Sequence, residues 1–355
     1  MGGTTVNSTI YTTVWTDTEM TVQPFQVYTH YYQRQIIAAL CITATCLGIV
    51  GNGLVIIAVV VSKKLRTITN VFVVNLSISD LLACSFLPWQ AVAVLSEAGW
   101  PLHGADWLCV ISAAFMFISN GCSTTNLALI ALNRWIGITK SVSTTRRIYT
   151  RCSIAGMVLF SWIMPICLTV IPTTIGFGQL GYEPKYSTCS WLKDVPMSYI
   201  MNILIPIFYF PIQFLVILLC YVSIYRYVIK SSRRMTRHDI NSISGATGCV
   251  DRAMQKMIWK RQIAVTKNLL HIVLAFVIFV TPSFIAMIPL GYDWSIRMTP
   301  YAAAIVFFSS CINPIIYGTS HPDFKETFSR MIFCKKWRNT TQTANVSQPM
   351  TQMMT

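Results

Sequence analysis

One carboxylate, Asp80, stands inside a long apolar run at 71–96. At mid-membrane depth a carboxylate costs about 2.5–3.5 kcal/mol on insertion scales, so it calls for a partner or a function. Two readings follow: a protonated Asp80 hydrogen-bonded within a helix bundle, or a cation site. Ser123, Ser310 and Asn313 lie at comparable depth on other apolar runs and offer hard oxygen ligands suited to sodium, with Asn52 as a brace. Asn313-Pro-Ile-Ile-Tyr317 interrupts the last long apolar run. Its proline removes a backbone donor, and a loosened polar segment beside Asp80 is a place for a helix to bend between two states. Arg134 closes the run 109–133, which is otherwise dotted with small polar residues such as Ser119, Asn120 and Asn126. Groups of that kind serve as interhelical hydrogen-bond partners at the centre of a bundle. A lone arginine at a helix end reads as a snorkelling anchor. No nucleophile–base pair stands out. The twelve cysteines have no Cys-x-x-Cys spacing, and most sit in apolar runs as packing residues.

Seven apolar runs must position these groups: 36–61, 71–96, 107–133, 152–175, 195–225, 268–292 and 298–320. Each reaches the roughly 20 residues that an α-helix needs to span a bilayer. Only 11% of the chain is charged, against about 25% in an average soluble domain. The reading is an all-α membrane protein, a seven-helix bundle over 35–320. The net charge of +15 does not point to nucleic acid, because 23 of the 27 basic residues fall on one side of the spans. By the positive-inside rule that side is cytoplasmic, and the N-terminus is extracellular. The first span is expected to act as the targeting signal.

Residues 1–34 form an extracellular tail, with a glycosylation sequon at Asn7. Residues 321–334 are expected to form an amphipathic helix lying on the inner membrane face, with Phe324, Phe328 and Ile332 as its apolar stripe. Cys334 at its end reads either as a palmitoylation site or as a free thiol. Residues 335–355 read as a disordered cytoplasmic tail. Cys109 and Cys189 both lie on the oxidising outer side, which favours a disulfide pinning the second outer loop over the third span.

Together these residues resemble the rhodopsin-like class of G-protein-coupled receptors. The likeness rests on Gly51-Asn52, Asn75-Leu-Ser-x-x-Asp80, Cys109, Asn133-Arg134-Trp135, Trp162, Cys189, Tyr221, Phe276, Pro282, Asn313-Pro-Ile-Ile-Tyr317 and Phe324, in that order. The resemblance implies a plasma-membrane receptor that passes an extracellular small-molecule signal to a heterotrimeric G protein, with arrestin and membrane lipid as further partners. It assigns coupling to Asn133, Arg134, Trp135, Tyr221 and Tyr317. Within the class, Gly181-Tyr-Glu-Pro-Lys-Tyr-Ser-Thr-Cys189, the Asn133-Arg134 start and Phe307-Phe-Ser-Ser-Cys-Ile-Asn313 are similar to melatonin receptors.

The hormone-contacting positions of those receptors do not carry over: Pro172, Tyr209 and Lys193 replace an asparagine, a histidine and a glutamine. Val280 replaces the usual tryptophan two residues before Pro282. Gln213 takes the place of the usual fifth-span proline, with Pro211 two residues earlier, and Gln262 stands where some members lock Arg134 with a glutamate. By the family's pattern the pocket is lined by Gln90, Met116, Phe117, Asn120, Tyr209, Phe284, Met287 and Phe307, with Lys193 in the covering loop. Amine-binding members carry an aspartate where this chain has Met116, so the pocket suits a neutral, largely apolar molecule, and a lipid acid comes second. Phe307 occupies the position of the retinal-binding lysine, which excludes retinal. The remaining alternatives are a receptor running on basal activity and, from a different class, a channel or transporter.

Overall fold

Apolar runs become helices in a bilayer because only internal hydrogen bonds can satisfy their backbone. The computed structural model describes residues 11–13, 22–24, 27–192, 194–241, 263, 270–271, 273–275, 277–283, 285–286 and 293–332. It places α1 at Tyr31–Val61, α2 at Ile68–Leu95, α3 at Asp106–Thr139, α5 at Arg151–Thr174, α6 at Pro196–Asn241 and α7 at Asp293–Ser320. Six described helices are long and apolar enough to cross a membrane. The predicted sixth span, 268–292, lies only partly within the described residues, with helical turns at 273–275 and 277–283. Short α4 (Val142–Ile148) lies between α3 and α5, and α8 (Pro322–Ile332) follows α7. A strand pair, β1 (Tyr11–Thr13) with β2 (Val22–Pro24), precedes α1.

Side chains set several helix starts. Thr67, Ser141 and Thr150 each accept a hydrogen bond from the backbone N–H three residues on, at the starts of α2, α4 and α5. Apolar side chains such as Val50, Leu159, Ile163 and Leu219 face outward, as lipid requires. The polar residues of α2 and α3 face inward. Asn75 of α2 donates to Asn126 Oδ1 (2.7 Å) and Ser161 Oγ (2.9 Å), and accepts from Trp162 Nε1 (2.8 Å), so one amide ties three spans together.

Two expectations need correction. The seventh span is not interrupted: α7 runs through Pro314 as a continuous helix. Pro314 has no N–H to offer the Ser310 carbonyl, and Asn52 Nδ2 donates to that carbonyl instead, at 2.9 Å. Gly51 leaves the space, since a Cβ there would stand 2.9 Å from the Pro314 ring. The second correction concerns α8. Phe324 is fully buried rather than laid on the membrane, stacked on Tyr317 with ring centroids 5.2 Å apart. Phe328 packs beside it, and only Ile332 of the expected stripe is well exposed.

Candidate functional site

The centre of the bundle gathers the polar residues expected there. Asp80 is buried. Its Oδ1 accepts from Ser123 Oγ and its Oδ2 from Asn313 Nδ2, both at 2.8 Å. Ser79 Oγ lies 2.9 Å from Ser123 Oγ. One carboxylate therefore links α2, α3 and α7, whichever protonation state it holds. Asn52 braces the Ser310 backbone, as above, rather than the carboxylate. One turn from Ser123 toward the start of α3, Ser119 Oγ is buried with no hydrogen-bond partner. Among the described residues no three His, Cys, Asp or Glu gather to hold a metal. A cation at Asp80 would have to be one that accepts hydroxyl, amide and single-carboxylate ligands.

The end of the bundle at which α3 begins is closed by a hairpin. β3 (Leu180–Glu183) pairs antiparallel with β4 (Thr188–Trp191), and Ser187 adopts a left-handed conformation (φ 48°) at the turn. The Cys109–Cys189 disulfide fastens this hairpin to α3. Gln90 of α2 fastens it again: its Oε1 accepts from Cys189 N (3.0 Å) and Thr188 Oγ1 (2.7 Å), and its Nε2 donates to Cys189 O (2.9 Å). The amide assigned to the pocket is thus engaged with the loop. Trp191 is fully buried, tilted against Phe117 at 6.0 Å. Met116 packs among Ala83, Leu87 and Phe307, and Asn120 Nδ2 turns back to the Met116 carbonyl at 2.8 Å.

A third clamp comes from the N-terminal segment. Tyr28 OH donates to the Tyr186 carbonyl (2.8 Å). Arg34 Nη1 reaches the carbonyls of Val94 and Ser96 (both 2.9 Å) and Ser187 Oγ (2.8 Å), with its guanidinium over the Tyr28 ring. Burial raises the Tyr28 phenol above its ordinary range despite the lowering effect of Arg34, so it remains a neutral donor. Sequence reasoning missed Tyr28, Arg34 and Trp191. The position of Arg34 just outside the first apolar run was the available signal.

Toward the opposite end of the bundle Asn133 does not pair with Arg134. Its Oδ1 accepts from Thr69 Oγ1 of α2 at 2.7 Å. Arg134 is half-buried, and its Nε has no hydrogen-bond partner; the hydroxyls of Tyr221 and Tyr317 are also buried without partners. These three groups lie within electrostatic reach of one another. Trp135 carries Lys140 over its ring at 5.2 Å. Tyr149, unassigned from sequence, is buried in the loop before α5, and burial pushes its phenol up to about 12. Tyr209 lies in α6. Asn7, Lys193, Phe284, Met287 and Cys334 lie outside the described residues.

Membrane-length helices thus enclose a buried carboxylate, with a disulfide-fastened hairpin at one end of the bundle and Arg134 toward the other. The family model for "7 transmembrane receptor (rhodopsin family)" matches residues 51–317. The melatonin receptor type 1B-B of Danio rerio is 28% identical over 304 residues, covering 84% of this chain and 81% of that receptor. The G-protein coupled receptor moody of Drosophila melanogaster is 26% identical over 341 residues, covering 82% of this chain and 50% of that receptor. The crystal structure of squid rhodopsin shares the fold, with a TM-score of 0.75 over 90% of this chain and 92% of that one at 20% identity. The chain belongs to the rhodopsin family of seven-transmembrane receptors. It is a multi-pass membrane receptor and not an enzyme.

Proposed function

We propose that this receptor, with its N-terminus outside the cell, responds to a neutral, largely apolar small molecule and activates a heterotrimeric G protein through Arg134, Asn133, Trp135, Tyr221 and Tyr317. Arrestin and bilayer lipid are further expected partners. The observation that carries the ligand reading is the outer half of α3, where Phe117 lies against Trp191, Met116 packs with Ala83, Leu87 and Phe307, and Asn120 follows one turn inward. A cationic ligand would find a thioether where amine-binding members carry an aspartate, and an uncompensated buried charge costs several kcal/mol. The likeness to melatonin receptors supports an apolar ligand class without fixing its identity, because Pro172, Tyr209 and Lys193 differ at the expected contact positions. A ligand panel scored by G-protein activation tests the reading. Monoamines are expected to give no specific response. Asn120→Ala or Phe117→Ala is expected to cost agonist potency about tenfold, or about 1.4 kcal/mol. A monoamine active at submicromolar concentration through these positions would overturn it.

The polar cluster supports a sodium ion held by the Asp80 carboxylate with Ser123, Ser310 and Asn313. The partnerless buried Ser119 hydroxyl one turn away fits that donor set. The ion would supply positive charge at Asp80 and hold α2, α3 and α7 in one arrangement. Asp80→Asn is expected to abolish sodium's negative effect on agonist affinity, an effect of about fivefold or more by the usual size of such couplings, and to blunt signalling. Wild-type agonist binding that is indifferent to sodium across physiological concentrations would refute the ion site.

A further inference from the structure

We propose that a cleft between the fifth and sixth spans takes the hydrocarbon tail of an inner-leaflet phospholipid. The cleft has a volume of about 300 Å³, with Phe214 and Ile217 of α6 on one side, Val273, Val277 and Val280 of the sixth span on the other, and Thr124 of α3 between them. The three valines recur at helical spacing, so their short, stiff side chains line one face. Valine at 280 leaves room in the cleft that a larger side chain such as an indole would fill.

The chemistry of the lining selects hydrocarbon. Its surface is almost wholly carbon, although Gln213 and Thr281 contribute to it. Thr124 Oγ1 donates to the Asn120 and Gly121 carbonyls of its own helix, and Thr281 Oγ1 to the Val277 carbonyl. Those hydroxyls ask for no ligand partner. Both walls continue into lipid-facing surface, because Phe214, Leu218 and Ile278 are exposed. Ile217 lies eight residues from the inner end of the apolar run at 225, about 12 Å along a helix. A headgroup can stay at the inner interface while its tail enters the cleft, whereas a ligand with a polar group at this depth would meet only the Gln213 amide in an otherwise carbon lining. The volume is about twice the ~150 Å³ cavity that takes a benzene ring, which corresponds to roughly a dozen carbons.

The test uses the full chain in phosphatidylcholine nanodiscs doped with a phosphatidylcholine that carries a diazirine midway along one acyl chain. After irradiation, crosslinks are mapped by mass spectrometry. Peptides spanning 210–217 are expected to be labelled several-fold more than the 159–163 segment of α5, whose Leu159, Phe160 and Ile163 face lipid without a cleft. Val280→Trp should bring 210–217 down to the level of 159–163. Val277→Phe fills the same space from a different turn and serves if the first variant does not reach the membrane. An intact Cys109–Cys189 disulfide reports correct folding in each. Equal labelling of the two segments in the wild type, or enrichment at 210–217 that survives both folded filling variants, would overturn the proposal. Ligand binding and G-protein coupling can fail independently of this result.

Discussion

Arg134→Ala is expected to lower G-protein activation by about a hundredfold or more while leaving the receptor at the cell surface and able to bind its ligand. Arg134 Nε is buried without a partner, and Asn133, its neighbour, is engaged by Thr69. The cation is therefore not held by its own motif. Removing it breaks no hydrogen bond made by Nε within the chain, so folding should change little. A docking partner that offers carbonyl or carboxylate oxygens would satisfy the guanidinium. Each charge-assisted hydrogen bond is worth roughly 1.5–3 kcal/mol, so two of them account for a hundredfold or greater loss. Tyr221 and Tyr317 also have buried hydroxyls without partners and stand close enough to join the same network. Nucleotide exchange on purified G protein, measured alongside surface labelling and ligand binding, checks the prediction. Exchange at wild-type level in the variant would remove Arg134 from the coupling machinery. Loss of surface receptor would mean instead that the side chain is structural. Arg134→Lys, which keeps the charge but not the planar fork, is expected to restore only part of the activity.

Residues that are costly where they stand were the ones legible in the sequence. Asp80 in an apolar run had to find partners, and the small polar residues at matching depth, Ser123 and Asn313, are the ones it finds. The spans were legible from length and hydropathy, but their ends were not. α3 continues to Thr139 and α6 to Asn241, well past the apolar stretches, because a helix needs no hydrocarbon once its backbone bonds are propagating. What stayed hidden depends on pairs far apart in the chain. The Asn52 bond to the Ser310 carbonyl spans 258 residues, and that of Gln90 to Cys189 spans 99. Each residue alone reads as a polar group facing a bundle or a pocket, and only the partner's position assigns it to a proline-freed carbonyl or to a lid. The inward turn of Phe324 is the same case: the stripe on α8 was legible, but Tyr317 lying across it was not.

Cys109→Ser is expected to remove most receptor from the cell surface, with Cys189→Ser doing the same and the double variant no worse than either. The disulfide closes a loop of sequence separation 80. Chain-entropy arguments give a bridge of that span about 4.5 kcal/mol against a fully disordered reference. The membrane spans inside the loop stay helical when the lid is released, so the loss here falls toward 2–3 kcal/mol within the usual range for native bridges. That remains a large share of the stability of a marginally stable fold. The remaining ties cannot replace it. Gln90 holds the hairpin at Cys189 and Thr188 and so depends on β4 lying in place, while Arg34 and Tyr28 grip only the Ser187 and Tyr186 end. With the bridge gone, Trp191 loses its cover over Phe117 and an aromatic surface opens at the outer end. Surface labelling and thermal unfolding of detergent-solubilised protein measure the effect. A second comparison separates the bridge from the lid. Gln90→Ala leaves the Cys189 and Thr188 groups without their acceptor and donor, and should lower the unfolding temperature by less than the cysteine variants while keeping the receptor at the surface. Wild-type surface level and thermal stability in Cys109→Ser would show that Gln90, Arg34 and Tyr28 hold the lid without the bridge.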